Sequence, residues 1–129
     1  MAKAKGGYVD GFVLTVPKKN IATYKKLARL MAKACRKYGA LDYKECMGDD
    51  LNPKSHGMAF TRFPKMAKAR KGETVWFSFV VYKSRKHRDE VNAKLMKDPM
   101  MNDPKMKDMP MPFDMKRMAF GGFTVEVEG

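Results

Sequence analysis

The chain has 129 residues, a mass of 14.7 kDa and 27 Lys plus Arg against 14 Asp plus Glu, for a formal net charge of +13. With 44% hydrophobic and 11% aromatic residues it has the apolar material for one packed core, which excludes a globally disordered chain. No run approaches the ~20 apolar residues of a membrane span, and the two cysteines, Cys35 and Cys46, cannot form a disulfide framework.

The reading is of a single domain over residues 1–129, with 1–7 as a flexible start. Met-Ala-Lys-Ala-Lys-Gly-Gly lacks the apolar stretch of a secretion signal, so the cytoplasm is the expected location. From Tyr8 to Val16 the chain is rich in β-branched and aromatic residues, which predicts a first strand closed by Pro17. Tyr24, Leu27, Ala28, Met31, Ala34, Cys35 and Tyr38 then recur at three- and four-residue steps, a helix with Asn20 as its cap and Gly39 as its stop. The helix's polar face carries Lys25, Lys26, Arg29, Lys33, Arg36 and Lys37 without one acidic residue from Lys18 to Lys37. Most of the net charge lies here, since residues 99–129 carry four basic against five acidic groups.

Alternation from Leu41 to Met47 predicts a second strand, broken by Gly48-Asp49-Asp50. A long polar connection follows over 49–73, with a helical turn expected between Pro64 and Arg70. Thr74 to Tyr82 is a nearly unbroken apolar run, the pattern of a strand covered on both faces. Ser84 caps a second helix that runs to Asp98-Pro99 and whose charges match its dipole. A stretch rich in Met and Pro, Met100 to Met115, leads to a last strand over roughly Lys116 to Val127, where Gly121-Gly122 signals a bulge or a close backbone approach.

Strand, helix, strand, strand, helix, strand is the βαββαβ order of ferredoxin-like α+β domains. Two helices cover one face of such a sheet, yet the third strand is apolar on both, and the first sets Phe12 and Leu14 against Val9 and Val13. A second copy of the chain is the most economical cover for the other face. The expected assembly is therefore a homodimer whose sheets meet face to face, a dimeric α+β barrel.

Tyr8-Val9-Asp10-Gly11-Phe12-Val13, Glu45-Cys46 with Gly48-Asp49-Asp50, Tyr82-Lys83-Ser84-Arg85 followed by His87 to Lys94, Met111-Pro112-Phe113-Asp114 and Lys116-Arg117-Met118 with Gly121-Gly122-Phe123 resemble, in that order, the YbaA-like family of small uncharacterised bacterial proteins. The resemblance runs from about Tyr8 to Val127 and implies a dimeric α+β barrel. It supplies no catalytic residues, and a fold alone does not license a chemistry. The dense lysines of the first helix lie outside the pattern.

His87, Asp10 and Arg117 are the candidates for a catalytic role. His87 borders an apolar helix stripe and carries an imidazole, the side chain most used as a general acid or base, though a boundary histidine that packs its ring is the simpler reading. Asp10 is an acid within an apolar strand and, if buried, needs a partner, for which Lys116 or Arg117 is proposed. Tyr43, Glu45, Trp76, Ser78, Tyr82 and Asn92 are candidates for a ligand pocket. Trp76, Ser78 and Tyr82 share one face, which equally suits a packed core. Asp49 and Asp50 read as turn chemistry rather than as a metal site, His56 as solvated, and no metal or cofactor is predicted.

Eight of the 13 methionines fall between Met96 and Met118, where flexible thioethers pack irregular gaps more simply than they bind Cu(I). The cationic helix face attracts polyanions at low salt, but no phosphate loop or nucleic-acid motif accompanies it. The leading expectation is binding of, or modest chemistry on, a small organic molecule. The alternatives are polyanion or RNA binding through the basic helix, or a purely structural dimer.

Overall fold

In the computed structural model residues 6–129 are described. Apart from Gly6 and Gly7, the start expected to be flexible lies outside them. The elements run β1 (Tyr8–Pro17), α1 (Ile21–Lys37), β2 (Asp42–Met47), a single turn α2 (Phe63–Met66), β3 (Glu73–Tyr82), α3 (Arg85–Met96), a short α4 (Pro104–Lys107) and β4 (Ala119–Thr124). The four strands form one antiparallel sheet in the order β2-β3-β1-β4. Strands β1 and β2 are thus parallel with β3 inserted between them, and the ferredoxin-like α+β arrangement is present. No helix of the described residues is long and apolar enough to cross a membrane.

The period of two along the strands sorts the side chains onto two unlike faces. Leu14 and Val16 of β1 and Trp76, Val80 and Tyr82 of β3 point toward the helices and are buried. They pack in two clusters, one with Ala34, Cys35, Val91 and Leu95, the other with Tyr24 and Ala28. The opposite face sets Val9, Gly11 and Val13 of β1 against Val81, Phe79 and Phe77 on one side and Phe123, Gly121 and Ala119 on the other. No element of the described residues covers it, and Phe77 and Phe123 remain 46% and 62% exposed.

Local chemistry fixes the ends. The Ser84 hydroxyl accepts the His87 backbone N–H at 3.1 Å and caps α3 as its position predicts. Asn20 does not cap α1; its side-chain amide instead donates to the Pro112 carbonyl at 3.1 Å and ties the Met-rich segment to the helix start. That segment is a series of short turns. Asp98, Asp103 and Asp114 each accept a backbone N–H two residues on, and Pro99 and Pro104 open two of the turns.

The last strand is shorter than its sequence predicts, since Met115–Arg117 close into a turn on the Asp114 carboxylate. No bulge interrupts it either: Gly121 and Gly122 pair in unbroken register with Gly11 and Asp10. The glycines serve close approach. A Cβ on Gly122 would lie 2.8 Å from Cζ and 2.9 Å from Cε2 of Tyr8, whose hydroxyl accepts from Arg88 at 3.2 Å. Gly122→Ala is therefore expected to cost about 1–3 kcal/mol of stability in urea unfolding, and much less in a Tyr8→Ala background. Equal costs in the two backgrounds would contradict this assignment.

Candidate functional site

Between the helix-facing side of the sheet and the helices lies a cavity of about 650 Å³. Leu27, Ala28, Met31 and Cys35 of α1 form one wall, and Asn92, Leu95 and Met96 of α3 another. The third wall is the Met-rich segment, which contributes Met101, Met106, Met111, Phe113 and Met115, together with Met118 just after it. The many methionines thus line a cavity, where unbranched thioethers adapt to irregular shape.

The sheet supplies the polar groups. At β2 the Glu45 carboxylate accepts three hydroxyl protons: from Tyr24 of α1 at 2.7 Å, from Tyr43 at 2.7 Å, and from Ser78 of β3 in a short bond. Register explains the meeting, because Glu45 pairs with Ser78 and Tyr43 lies two residues along the same face. Burial, reinforced by the bond to Glu45, raises the pKa of both phenols well above the ordinary 10, so they stay protonated and keep donating.

Asp10 occupies the β1 side of the cavity and is 3% exposed. Its partner is Arg88 of α3, with Nη1 to Oδ1 at 3.5 Å, and not Lys116 or Arg117 as the sequence proposes. The correction has a physical reason: Arg117 is already engaged, donating to both Glu73 oxygens at 2.7 and 2.6 Å and to Asp114 at 3.2 Å. Its guanidinium holds the Glu73 carboxyl down to about 2 from the ordinary 4.5. Asp10, by contrast, is pushed up by burial against the pull of Arg88, and its Oδ1 has no hydrogen-bond donor among the described residues.

Asp10 and Tyr43 stand opposite Val80 on its two sides. The strands bearing the two carboxylates are therefore two spacings apart, roughly 10 Å, and the groups form separate polar spots rather than an acid/base dyad. Cys35 also reaches the cavity, but burial pushes its thiol up to about 11, which leaves it protonated and a poor nucleophile at neutral pH.

Of the six pocket candidates, Tyr43, Glu45, Ser78, Tyr82 and Asn92 line the cavity. Trp76 instead packs edge-on beneath Tyr24 at 4.9 Å and donates its indole N–H to Thr74 at 2.9 Å. Trp76 and Tyr82 thus lie under the helices, whereas Phe77 and Phe79 of the same strand lie on the open face. His87 lies outside the cavity: Nδ1 accepts the Lys83 backbone N–H at 2.9 Å and the ring meets Tyr82 edge-on. Asp49, Asp50 and His56 are exposed in the connection after β2. Among the described residues no three His, Cys, Asp or Glu side chains gather as metal ligands. Tyr24, Arg88 and the Met wall escape sequence reasoning. Only the four-residue step from Tyr24 to Ala28 hints that the tyrosine faces the sheet.

The six basic residues of α1 are all exposed. Lys37 lies 3.8 Å from Asp98, and Arg36 donates to the Leu41 carbonyl. Lys25, Lys26, Arg29 and Lys33 have no acidic partner within 4.0 Å among the described residues.

Known proteins share this architecture and sequence. A crystal structure described as a dimeric ferredoxin-like protein from an uncultured marine organism superposes with a TM-score of 0.58, covering 95% of this chain and 99% of its own at 11% identity, which speaks to the fold alone. The uncharacterized protein YbaA of Escherichia coli K12 and that of Shigella flexneri are each 40% identical over 118 residues, 90% of this chain and 93% of theirs. Residues 7–115 match the family described as Protein of unknown function (DUF1428), and the chain belongs to that family.

Proposed function

We propose that the protein is a homodimeric domain that binds a small, predominantly apolar organic molecule between its sheet and its helices. The observation that carries the reading is the cavity itself: about 650 Å³, walled by thioethers and rings, with a few polar groups on the floor. That size and composition suit a small-molecule site. The reading assigns no reaction: the Ser78 hydroxyl has the Glu45 carboxylate beside it, but that carboxylate is shared with the Tyr24 and Tyr43 phenols. Asp10 rather than His87 or Arg117 is the acid/base candidate that remains inside it.

The dimer is supported by the uncovered apolar face. Phe77, Phe79, Val9, Val13 and Phe123 lie on it side by side, and burying each large side chain is worth about 1.5–3 kcal/mol. The dimeric ferredoxin-like protein of similar fold points the same way. A second reading rests on the four cations of α1 that lack acidic partners: the helix attracts polyanions without sequence preference, through a field that salt screens.

Each part has its own test. In a thermal-shift screen of metabolites a native-state ligand raises the melting temperature. The shift should vanish in Leu27→Trp, which narrows the cavity, and persist in His87→Ala; the reverse pattern would contradict the site. Light scattering at micromolar concentration should give twice the 14.7 kDa chain mass, falling to one chain in the double variant Phe77→Asp/Phe123→Asp, whereas a monomeric wild type would remove the dimer. Retention on a polyanion support at low salt should be lost when Lys25, Arg29 and Lys33 become Glu, and unchanged retention would exclude α1 as the surface.

A further inference from the structure

The hydrogen-bond inventory of the cavity is lopsided. A hydroxyl has one proton, and Tyr24, Tyr43 and Ser78 all spend theirs on Glu45, so these three oxygens have only lone pairs left for a ligand. Asp10 adds a buried carboxylate oxygen with no donor of its own among the described residues. Glu45 is satisfied in hydrogen bonds and makes no ion pair within 4.0 Å among the described residues, the cations Lys25 and Arg29 of α1 lying with it along a separate groove. The donors on the lining are few: the Asn92 amide, the Tyr82 hydroxyl, the Cys35 thiol and Lys107, which is exposed on α4. The lining thus carries two carboxylates against one ammonium, within a chain whose net charge is +13. The walls suit a cation as well, because ring faces and thioethers are polarizable.

We propose, building on the small-molecule reading above, that the cavity selects an organic cation, an amine on an apolar or aromatic body, with its ammonium at Glu45 between Tyr24 and Tyr43. The unsatisfied oxygen of Asp10 accepts a second donor where the ligand has one. Arg88 stands behind Asp10 and draws off part of that carboxylate's charge, which makes Glu45 the stronger cation site.

The test is a matched series on the full chain at neutral pH: phenethylamine, phenethyl alcohol and 3-phenylpropionate, with dissociation constants from thermal shift or calorimetry. The amine is expected to bind at least about tenfold more tightly than the carboxylate, as one partly buried opposite charge requires, with the alcohol between them. Glu45→Gln should erase the amine's advantage over the alcohol. Equal binding by all three, or a preference for the carboxylate, overturns the charge selection and leaves the cavity reading standing. No binding by any of the three overturns both. The wild-type series decides the preference by itself, so a Glu45→Gln variant that fails to fold does not shield the inference.

Discussion

Strands β1 and β3 run through the middle of the sheet and carry apolar side chains on both sides, whereas the chain's two long helices cover only one side. Everything else in the molecule follows from how these two faces are satisfied. On the helix side Leu14, Val16, Trp76 and Tyr82 are at most 3% exposed, and their burial anchors α1 and α3. On the other side a row of phenylalanines and valines faces outward. Leaving that row in water forgoes several kcal/mol of the hydrophobic free energy available to it, a large share of a marginal stability. A second copy is the occupant we propose.

The covered face is not simply a core. The helices and the Met-rich segment stand off the middle of the sheet, and the polar residues of the strands are placed where that space opens. Asp10 and Ser78 interrupt the apolar runs of β1 and β3, and Glu45 is turned inward from β2, a cost that hydrogen bonds or ion pairs must offset. Glu45 meets it with three hydroxyls, whereas Asp10 meets it only partly, with Arg88 at 3.5 Å. Arg117 does structural work nearby, fastening the approach to β4 onto the start of β3 through Glu73.

Much of this architecture was legible in the sequence because it rests on periodicity. The strand-helix order, the two-sided β3 and the Ser84 cap all follow from residue spacing, and parity along β3 puts Ser78 and Tyr82 on one face with Trp76, although Trp76 packs under Tyr24 instead of lining the cavity. What escaped depends on long-range geometry. The pairing of Asp10 with Arg88 joins residues 78 positions apart, and no local pattern distinguishes Arg88 from Arg117 as its partner. The Met-rich segment reads as irregular because its turns are too short for any period, although Asp98-Pro99 and Asp103-Pro104 are visible start signals. Gly122 yields space to Tyr8 across two strands, which a doubled glycine announces without naming the neighbour.

The surface charge belongs to a different layer of the molecule. The cations of α1 sit on the helix face turned away from the sheet, while the cavity lining carries more carboxylates than ammonium groups. The central claim is that the sheet's two faces serve separate purposes, one enclosing a ligand and the other a second copy. Fluorine NMR of the protein labelled at phenylalanine tests it most directly. Phe113, on the cavity wall, should shift with ligand and not with dilution, whereas Phe77, Phe79 and Phe123 should shift with dilution and not with ligand. A single set of phenylalanines responding to both, or none responding to dilution down to the nanomolar range together with a monomeric mass, would contradict the account.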